Sequence, residues 1–291
     1  MNIRKLKIFY ATATSLNMTK VAKELYISQP SVSQAIHEIE EEVGAILFDR
    51  IGKRIYLTDE GLVYLNYVRR ILNLYKEASE RLEEMSNMES GKIKVGASTT
   101  IGIYILPDII RRFVEKHKGI EISLIIENTA NIERLILENK VDFAFVEGKI
   151  NSEEIIKEEI WKDELVLICS DKHPWKSRKL VSGTEIKNEK FIIRERGSGT
   201  REVIESYMQN NNIEYNVFME LGNTEAIKKS VEANLGIGCI SSKCVDNLEE
   251  LGKLHTLKIK DGNIERSLLL IIHKDKFMNN NIKEFIKFSY K

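Results

Sequence analysis

The chain has 291 residues, room for about two domains at the usual ~150 residues each. It is 43% hydrophobic and 30% charged with only three prolines, which argues against disordered, collagen-like and low-complexity classes. Lys+Arg and Asp+Glu both number 44, so a polyanion-binding coat is excluded and any nucleic-acid contact must come from a local patch.

The longest strongly apolar run, Leu268 to Ile272, is far short of the ~20 residues that cross a bilayer. Arg4, Lys5 and Lys7 open the chain, but Thr12, Thr14, Ser15 and Asn17 interrupt any export-signal core behind them. Cys169, Cys239 and Cys244 are odd in number and lack metal-ligand spacing. A cytoplasmic protein in a reducing compartment is expected, with no metal, no cofactor and no membrane partner.

Residues 1–57 predict three helices and a hairpin. Leu6, Phe9, Tyr10 and Ala13 share the inner face of the first helix. Asn17 caps the second, with Val21, Ala22 and Leu25 turned inward. After a turn at Tyr26 and Ile27, Ser28 caps the third, and Pro30 falls in its first turn, where a missing N–H costs nothing. Two helices joined this tightly form a helix-turn-helix.

The third helix buries Val32, Ile36 and Ile39, so Pro30, Gln34 and His37 face away from the core. Ser31 and Ser33 lie on the shoulders, with Ser28 and Gln29 at the N-terminal end. Such a face of amides and hydroxyls suits a major groove, because Gln pairs with adenine and Ser meets base edges or phosphates. A solvated surface helix would be the ordinary alternative. The next segment favours the groove: it turns near Gly52 with Arg50, Lys53 and Arg54 at the tip, a wing able to lie along phosphates. Residues 1–57 hold eight basic and six acidic side chains, and the acids Glu38, Glu40, Glu41 and Glu42 lie away from the reading end.

The run Thr19-Lys20-Val21-Ala22-Lys23-Glu24-Leu25-Tyr26-Ile27-Ser28-Gln29-Pro30-Ser31-Val32-Ser33 resembles the N-terminal signature of LysR-type transcriptional regulators. So does Leu47-Phe48-x-Arg50-x-x-Lys53-x-x-x-Leu57-Thr58-x-x-Gly61. Lys53 stands where the family often has Arg, keeping charge without bidentate geometry. Gln34 and His37 replace more basic side chains of many members. The resemblance implies a winged helix-turn-helix, a dimerisation helix and a two-lobed effector domain of periplasmic-binding-protein type. It also implies operator DNA, a small-molecule effector, a second copy of the chain (usually a tetramer of two dimer types) and RNA polymerase as partners.

Thr58 caps a long helix with Asp59 and Glu60 at its positive dipole end. Leu65, Val68, Leu72, Tyr75 and Leu82 recur near the coiled-coil period, and a dimer seam is expected along them; packing within one domain is the alternative. A two-fold dimer would present two recognition helices one DNA turn apart.

From Gly91 onward, β-branched runs alternate with amphipathic segments, an α/β pattern. Strands are predicted at 92–97, 121–127, 141–146, 165–169, 191–193, 237–240 and 268–272, the last returning the chain to the first lobe as a central strand. Helices are predicted after Gly102 through Phe113, at 132–137, from about Thr200 and at 224–233. The expected organisation is 1–58 for DNA binding, 59–90 for the linker helix and 91–291 for the effector domain. Within the last, lobe I comprises about 91–161 and 266–291, and lobe II about 162–265.

Ligands in such folds sit outside strand C-termini, between lobes. Three segments should converge there: Ser98-Thr99-Thr100, Thr129, and Arg194-Glu195-Arg196-Gly197-Ser198-Gly199-Thr200-Arg201. Hydroxyls and exposed N–H groups at helix starts favour an anion, with Gly197 and Gly199 allowing close backbone approach and Arg196, Ser198 and Thr200 as contacts. The third segment is neither a Walker A loop nor a dinucleotide fingerprint, and a glycine turn with a helix cap is its plain alternative. Similar Arg-Gly-Ser-Gly-Thr runs occur in members that sense small anions. Glu147 either lines the cleft or caps the turn at Gly148. His173, before Pro174, is expected in a surface loop, His255 and His273 have no acidic partner in sequence pattern, and Cys239 and Cys244 are expected to be buried thiols. The rival reading, an enzyme or exported solute receptor, finds no nucleophile–base pair, cofactor motif or export signal.

Overall fold

A computed structural model describes residues 2–52, 54–85, 91–245, 252–260 and 262–290, and of 81–85 the backbone alone. Lys53, and the side chain of Leu82, therefore lie outside the described residues. The chain divides into two compact units, Met1–Met88 and Glu89–Lys291.

In the first unit, α1 (Ile3–Ser15), α2 (Met18–Glu24) and α3 (Gln29–Val43) precede a hairpin, β1 (Phe48–Ile51) and β2 (Arg54–Leu57), and then α4 (Asp59–Met85). Each of the first three helices starts where its cap side chain (Asn2, Asn17, Ser28) accepts a backbone N–H three residues on. Leu6, Phe9, Ile36, Ile39, Leu47, Phe48, Leu65 and Val68 form one core. The Phe9 ring stands edge-on to Tyr64 at 4.9 Å. Each fully buried apolar side chain contributes about 1.5–3 kcal/mol relative to exposure.

Gly61 has a steric reason. A Cβ there would lie 2.2 Å from the Leu47 carbonyl oxygen, so only glycine lets α4 start against the wing. Thr58 completes the junction, donating its hydroxyl to Ile46 O and accepting the Gly61 N–H at 2.9 Å.

Two expectations need correction in this unit. Leu25 is 37% exposed, because α2 ends before it. Leu65 and Val68 are 8% and 0% exposed inside their own unit, with Leu72 packed beside them, so they form no seam. The exposed apolar stripe of α4 is rotated from them: Tyr67, Ile71 and Leu74, with Ala78 continuing the three-and-four spacing and Tyr75 of the expected seam exposed beside it.

The second unit alternates strands and helices. Its strands are β3 (Gly91–Ser98), β4 (Ile120–Glu127), β5 (Phe143–Glu147), β6 (Ile155–Ser170), β7 (Leu180–Val181), β8 (Lys190–Arg194), β9 (Asn216–Leu221), β10 (Ile237–Ser241), β11 (Leu254–Ile259) and β12 (Ile264–His273). Its helices are α5 (Thr99–Tyr104), α6 (Leu106–Lys116), α7 (Thr129–Leu137), α8 (Gly183–Ile186), α9 (Gly199–Asn210), α10 (Thr224–Glu232) and α11 (Asn280–Ser289). Strand order is β4-β3-β5-β12-β6-β10-β8-β9, with β12 antiparallel to β5 and to β6 and the β4-β3-β5 and β10-β8-β9 sets parallel. The long strands β6 and β12 carry the chain out of lobe I and back. Lobe I packs around Ile93, Val95, Phe113, Phe143, Phe145 and Phe285; lobe II packs around Leu167, Phe191, Ile204 and Ile237.

The single helix expected after Gly102 starts earlier, at Thr99, and is two, broken at Ile105 before Pro107, which has no N–H to continue the ladder. The polar first half of β6, with Lys157, Glu158 and Glu159, escapes an apolar-run reading but pairs along β12 from His273↔Ile155 to Ile264↔Leu165.

Candidate DNA-reading face and effector cleft

The inner stripe of α3 orients its outer face. Val32, Ile36 and Ile39 are fully buried, while Gln29, Pro30, Ser31, Gln34 and His37 are exposed. Ser28 caps the helix through the Ser31 N–H. The wing reaches this face, where the exposed Arg50 guanidinium donates to Ser33 Oγ at 3.4 Å; Arg54 is exposed on β2. Between helix and wing runs a groove walled by Gln29, Ser33, Gln34, His37 and Arg50.

The acids of α3 are held in structural contacts. Glu40 accepts the Leu47 and Phe48 N–H groups at 2.8 and 3.1 Å, anchoring the wing. Lys5 of α1 sits 2.9 Å from Glu38 and 2.6 Å from Glu42. Lys5's hydrogen bond holds the Glu42 carboxyl well below the usual range, at about 2. Glu41 faces His37 at 3.3 Å. Negative charge close to the reading face is thereby balanced locally.

In the second unit, four segments meet at the cleft between the lobes: the β3–α5 junction, the start of α7, the end of β5 and the start of α9. Ser98, Thr100, Thr129, Ser198 and Thr200 are each at least 97% buried there, and Thr99 is 7% exposed. Ser98 occupies the N-cap position of α5 without capping it; its hydroxyl donates instead to Glu147 Oε2. Thr200, from the other lobe, donates to Glu147 Oε1 at 3.0 Å. Thr129 donates to the Glu147 carbonyl at 2.9 Å and accepts the Gly199 N–H at 3.2 Å. Ser198 caps α9 through the Arg201 N–H.

Behind this cluster lies a buried ion pair. Arg266 Nε and the NH2 group both lie 2.7 Å from Asp163 Oδ2, and Ser241 donates to Asp163 Oδ1 at 2.8 Å. Arg266 NH1 donates to Thr200 Oγ1 at 2.8 Å and stands 3.6 Å from Glu147. Arg194, 2% exposed, pairs with Glu195 and reaches Thr99 of lobe I and Thr224 of lobe II, each at 3.3 Å. Arg266 and Asp163 were beyond pattern reading, and so were the partners of Glu147 and Arg194. These pairs stand up to 103 positions apart in sequence, and only the turn after β5 hinted at Glu147.

Arg196 lies differently from Arg194. It is exposed, with its backbone N–H and its charge towards Glu220. Gly197 and Gly199 admit the opposite lobe: a Cβ on Gly199 would lie 1.9 Å from the Glu147 carbonyl oxygen. The lobes are further tied by Ala130 N to Gly197 O at 3.0 Å, Asn128 to Glu195 at 3.2 Å and Lys228 to Tyr104 at 2.7 Å. Burial and the Glu225 carboxylate beside it push the Tyr104 phenol up. Beside the cluster opens a cavity of about 640 Å³, lined by Thr99, Ile126, Glu127, Asn128, Glu195, Asn223 and Glu225 among others.

His173 is buried rather than held in a surface loop, and His255 and His273 do have acidic partners, distant in sequence. His173 lies 3.2 Å from Glu189, His255 3.3 Å from Asp171, and His273 3.1 Å from Glu154. Among the described residues no group of three or more His, Cys, Asp or Glu could hold a metal ion. All three cysteines are free and buried, and burial pushes their thiols up, to about 11 for Cys169 and about 12 for Cys239 and Cys244. No helix among the described residues is long and apolar enough to cross a membrane.

Residues 3–62 match the model of the bacterial regulatory helix-turn-helix protein, lysR family, and residues 86–290 match that of the LysR substrate binding domain. The chain belongs to the LysR family. An HTH-type transcriptional regulator of Escherichia coli, YeiE, is 34% identical to this LysR-family chain over 289 residues, 99% of the chain and 97% of YeiE. The regulatory domain of Synechocystis CcmR, solved with 2-PG, superimposes with a TM-score of 0.65 at 25% identity, covering 69% of this chain and 96% of that one. Full-length CbnR, solved with its target DNA, gives a TM-score of 0.74 at 20% identity over 99% of both chains, a likeness of fold. As a LysR-type transcriptional regulator with an effector-binding domain, the protein falls in a class of DNA-binding regulators rather than enzymes.

Proposed function

We propose that this LysR-type regulator acts in the cytoplasm as a dimer or a pair of dimers, reading operator DNA through α3 and responding to a small anionic metabolite. Residues 1–58 would bind DNA, 59–90 join two copies and 91–291 hold the effector. Gln29, Ser31, Ser33, Gln34 and His37 face base edges, while Ser28, Pro30, Arg50 and Arg54 fit the groove edge and phosphates, to which Lys53 would add its charge. The stripe of Tyr67, Ile71, Leu74 and Ala78 supports pairing along α4.

The observation that carries the effector reading is the meeting of Ser98 and Thr200, from opposite lobes, on one carboxylate. That donor set is built for an oxyanion, with Thr129 and the α9 start beside it. The neighbouring cavity wall of Glu127, Asn128, Glu195 and Glu225 supplies acceptors, so the remainder of the effector should carry hydrogen-bond donors. CcmR, whose matched domain covers 69% of this chain, is solved with 2-phosphoglycolate, an anion, which supports the oxyanion part of this reading.

The test uses the full-length protein. Calorimetric titration with 2-phosphoglycolate, inorganic sulfate and small hydroxy- and aminocarboxylates is expected to find an anion that binds wild type. That anion should bind neither Ser98→Ala nor Thr200→Ala, while mobility shifts on the upstream DNA persist in both variants. Uptake of neutral or cationic metabolites alone would overturn the anion reading.

A further inference from the structure

We infer that the Glu147 carboxylate is a resident occupant of the effector's anion site, and that an effector anion binds by taking the Ser98 and Thr200 hydroxyls away from it. This deepens the anion reading of the cleft and rests on it.

The first argument is one of proton counting. A serine or threonine hydroxyl has a single O–H to donate. Ser98 gives its proton to Glu147 Oε2 and Thr200 gives its own to Glu147 Oε1. Neither can serve an incoming anion while Glu147 holds it, so occupation by Glu147 and by effector exclude one another.

The second argument is charge. Asp163 already balances Arg266, accepting from Nε at 2.7 Å with Nη2 equally near. Glu147, 2% exposed in its side chain and 3.6 Å from Arg266 NH1, is thus the surplus carboxylate of a cluster with one cation and two acids. A second anion against it meets a like charge in a buried place, and the positions favourable to negative charge are the ones Glu147 fills.

The third is space. A Cβ on Gly148 would lie 2.5 Å from the Gly199 Cα, and one on Gly199 would lie 1.9 Å from the Glu147 carbonyl oxygen. The lobes touch backbone to backbone at this point, leaving no gap for an oxyanion. Entry therefore requires the lobes to part and the Glu147 side chain to swing away. The effector-free protein is closed on its own carboxylate, and the effector-bound protein closes on a different one, at a wider lobe spacing. A ligand that favours one of two such states shifts the population between them.

Glu147→Gln keeps the shape and removes the charge; Glu147→Ala vacates the place. Full-length wild type and both variants are titrated with sodium sulfate, inorganic phosphate and 2-phosphoglycolate, and thermal midpoints are read with and without acetate. Glu147→Gln should bind at least one of these oxyanions tenfold or more tighter than wild type, and adding Ser98→Ala should abolish the gain. Acetate should raise the midpoint of Glu147→Ala and leave wild type unmoved, as a free carboxylate fills the empty place. Wild type binding an oxyanion while Glu147→Gln binds it no tighter, or loses it, would overturn this inference and leave the anion reading standing. No uptake of the three oxyanions, or of small hydroxy- and aminocarboxylates, by wild type or variants would overturn both.

Discussion

The recognition helix and the effector cleft use the same side chains, amides and hydroxyls near helix N-termini, in opposite states. On α3, Gln29, Ser31 and Gln34 are exposed, and their local partners are water-accessible contacts such as Gln34 to Glu38 at 2.9 Å. In the cleft, Ser98, Thr129, Ser198 and Thr200 are at least 97% buried, and each hydroxyl has an internal partner. A surface reader leaves its donors to water, which DNA can replace at little cost. A sensor that closes in the absence of its ligand cannot, because a buried unsatisfied polar group costs about 1–3 kcal/mol. Glu147 resolves that difficulty by standing in the cleft.

The comparison can be broken from either side. Ile36→Ala should have the largest effect, a loss of about 2–5 kcal/mol in the stability of the first unit, because Ile36 is fully buried under the reading face. DNA binding should fall with it while the melting of the second unit stays put, as separate calorimetric transitions would show. Gly199→Ala should cost about 1–3 kcal/mol in the second unit by wedging the lobes apart. Small-angle scattering of the protein should show an enlarged radius, and effector response should vanish with DNA binding retained.

Gln29→Ala sharpens the contrast without touching either core. Discrimination between operator and random duplex should drop by about 1–3 kcal/mol, read as a mobility-shift ratio at fixed salt, with thermal midpoint unchanged. The smallest effect belongs to Lys5→Met. The Glu42 carboxyl lies at about 2 in the folded chain against an ordinary 4.5, so its link to Lys5 stabilises fully above pH 4.5 and is lost as pH falls from there towards 2. The thermal midpoint of the variant should trail wild type at pH 7 and converge with it near pH 2.

The first unit was largely legible in sequence because its proposed reading face lies on the outside of one helix. Val32, Ile36 and Ile39 define an inner face by spacing alone, and the opposite face follows from 100° per residue. What periodicity misassigned was the partner of a buried stripe. Leu65 and Val68 have coiled-coil spacing, yet they pack on Phe9 and Ile36, and pattern cannot tell an intermolecular from an intramolecular neighbour. In the second unit, the hydroxyl segments could be found because they start helices. Their bonding could not, since Glu147, Arg266 and Asp163 come from three strands and meet through tertiary pairing. Gly199 was legible as a close-approach position, but what approaches it is Glu147 of the other lobe.

The central claim is that two separable polar faces, one read by DNA and one by metabolite, reside in one chain. Mobility shifts with the full-length protein on its own upstream DNA, run in parallel for Gln29→Ala and Ser98→Ala, test it most directly. The account predicts that Gln29→Ala loses preference for that DNA over random duplex, while Ser98→Ala binds it as wild type does and no longer changes with effector. Equal binding of upstream and random duplex by wild type, or loss of DNA binding by a folded Ser98→Ala, would contradict it.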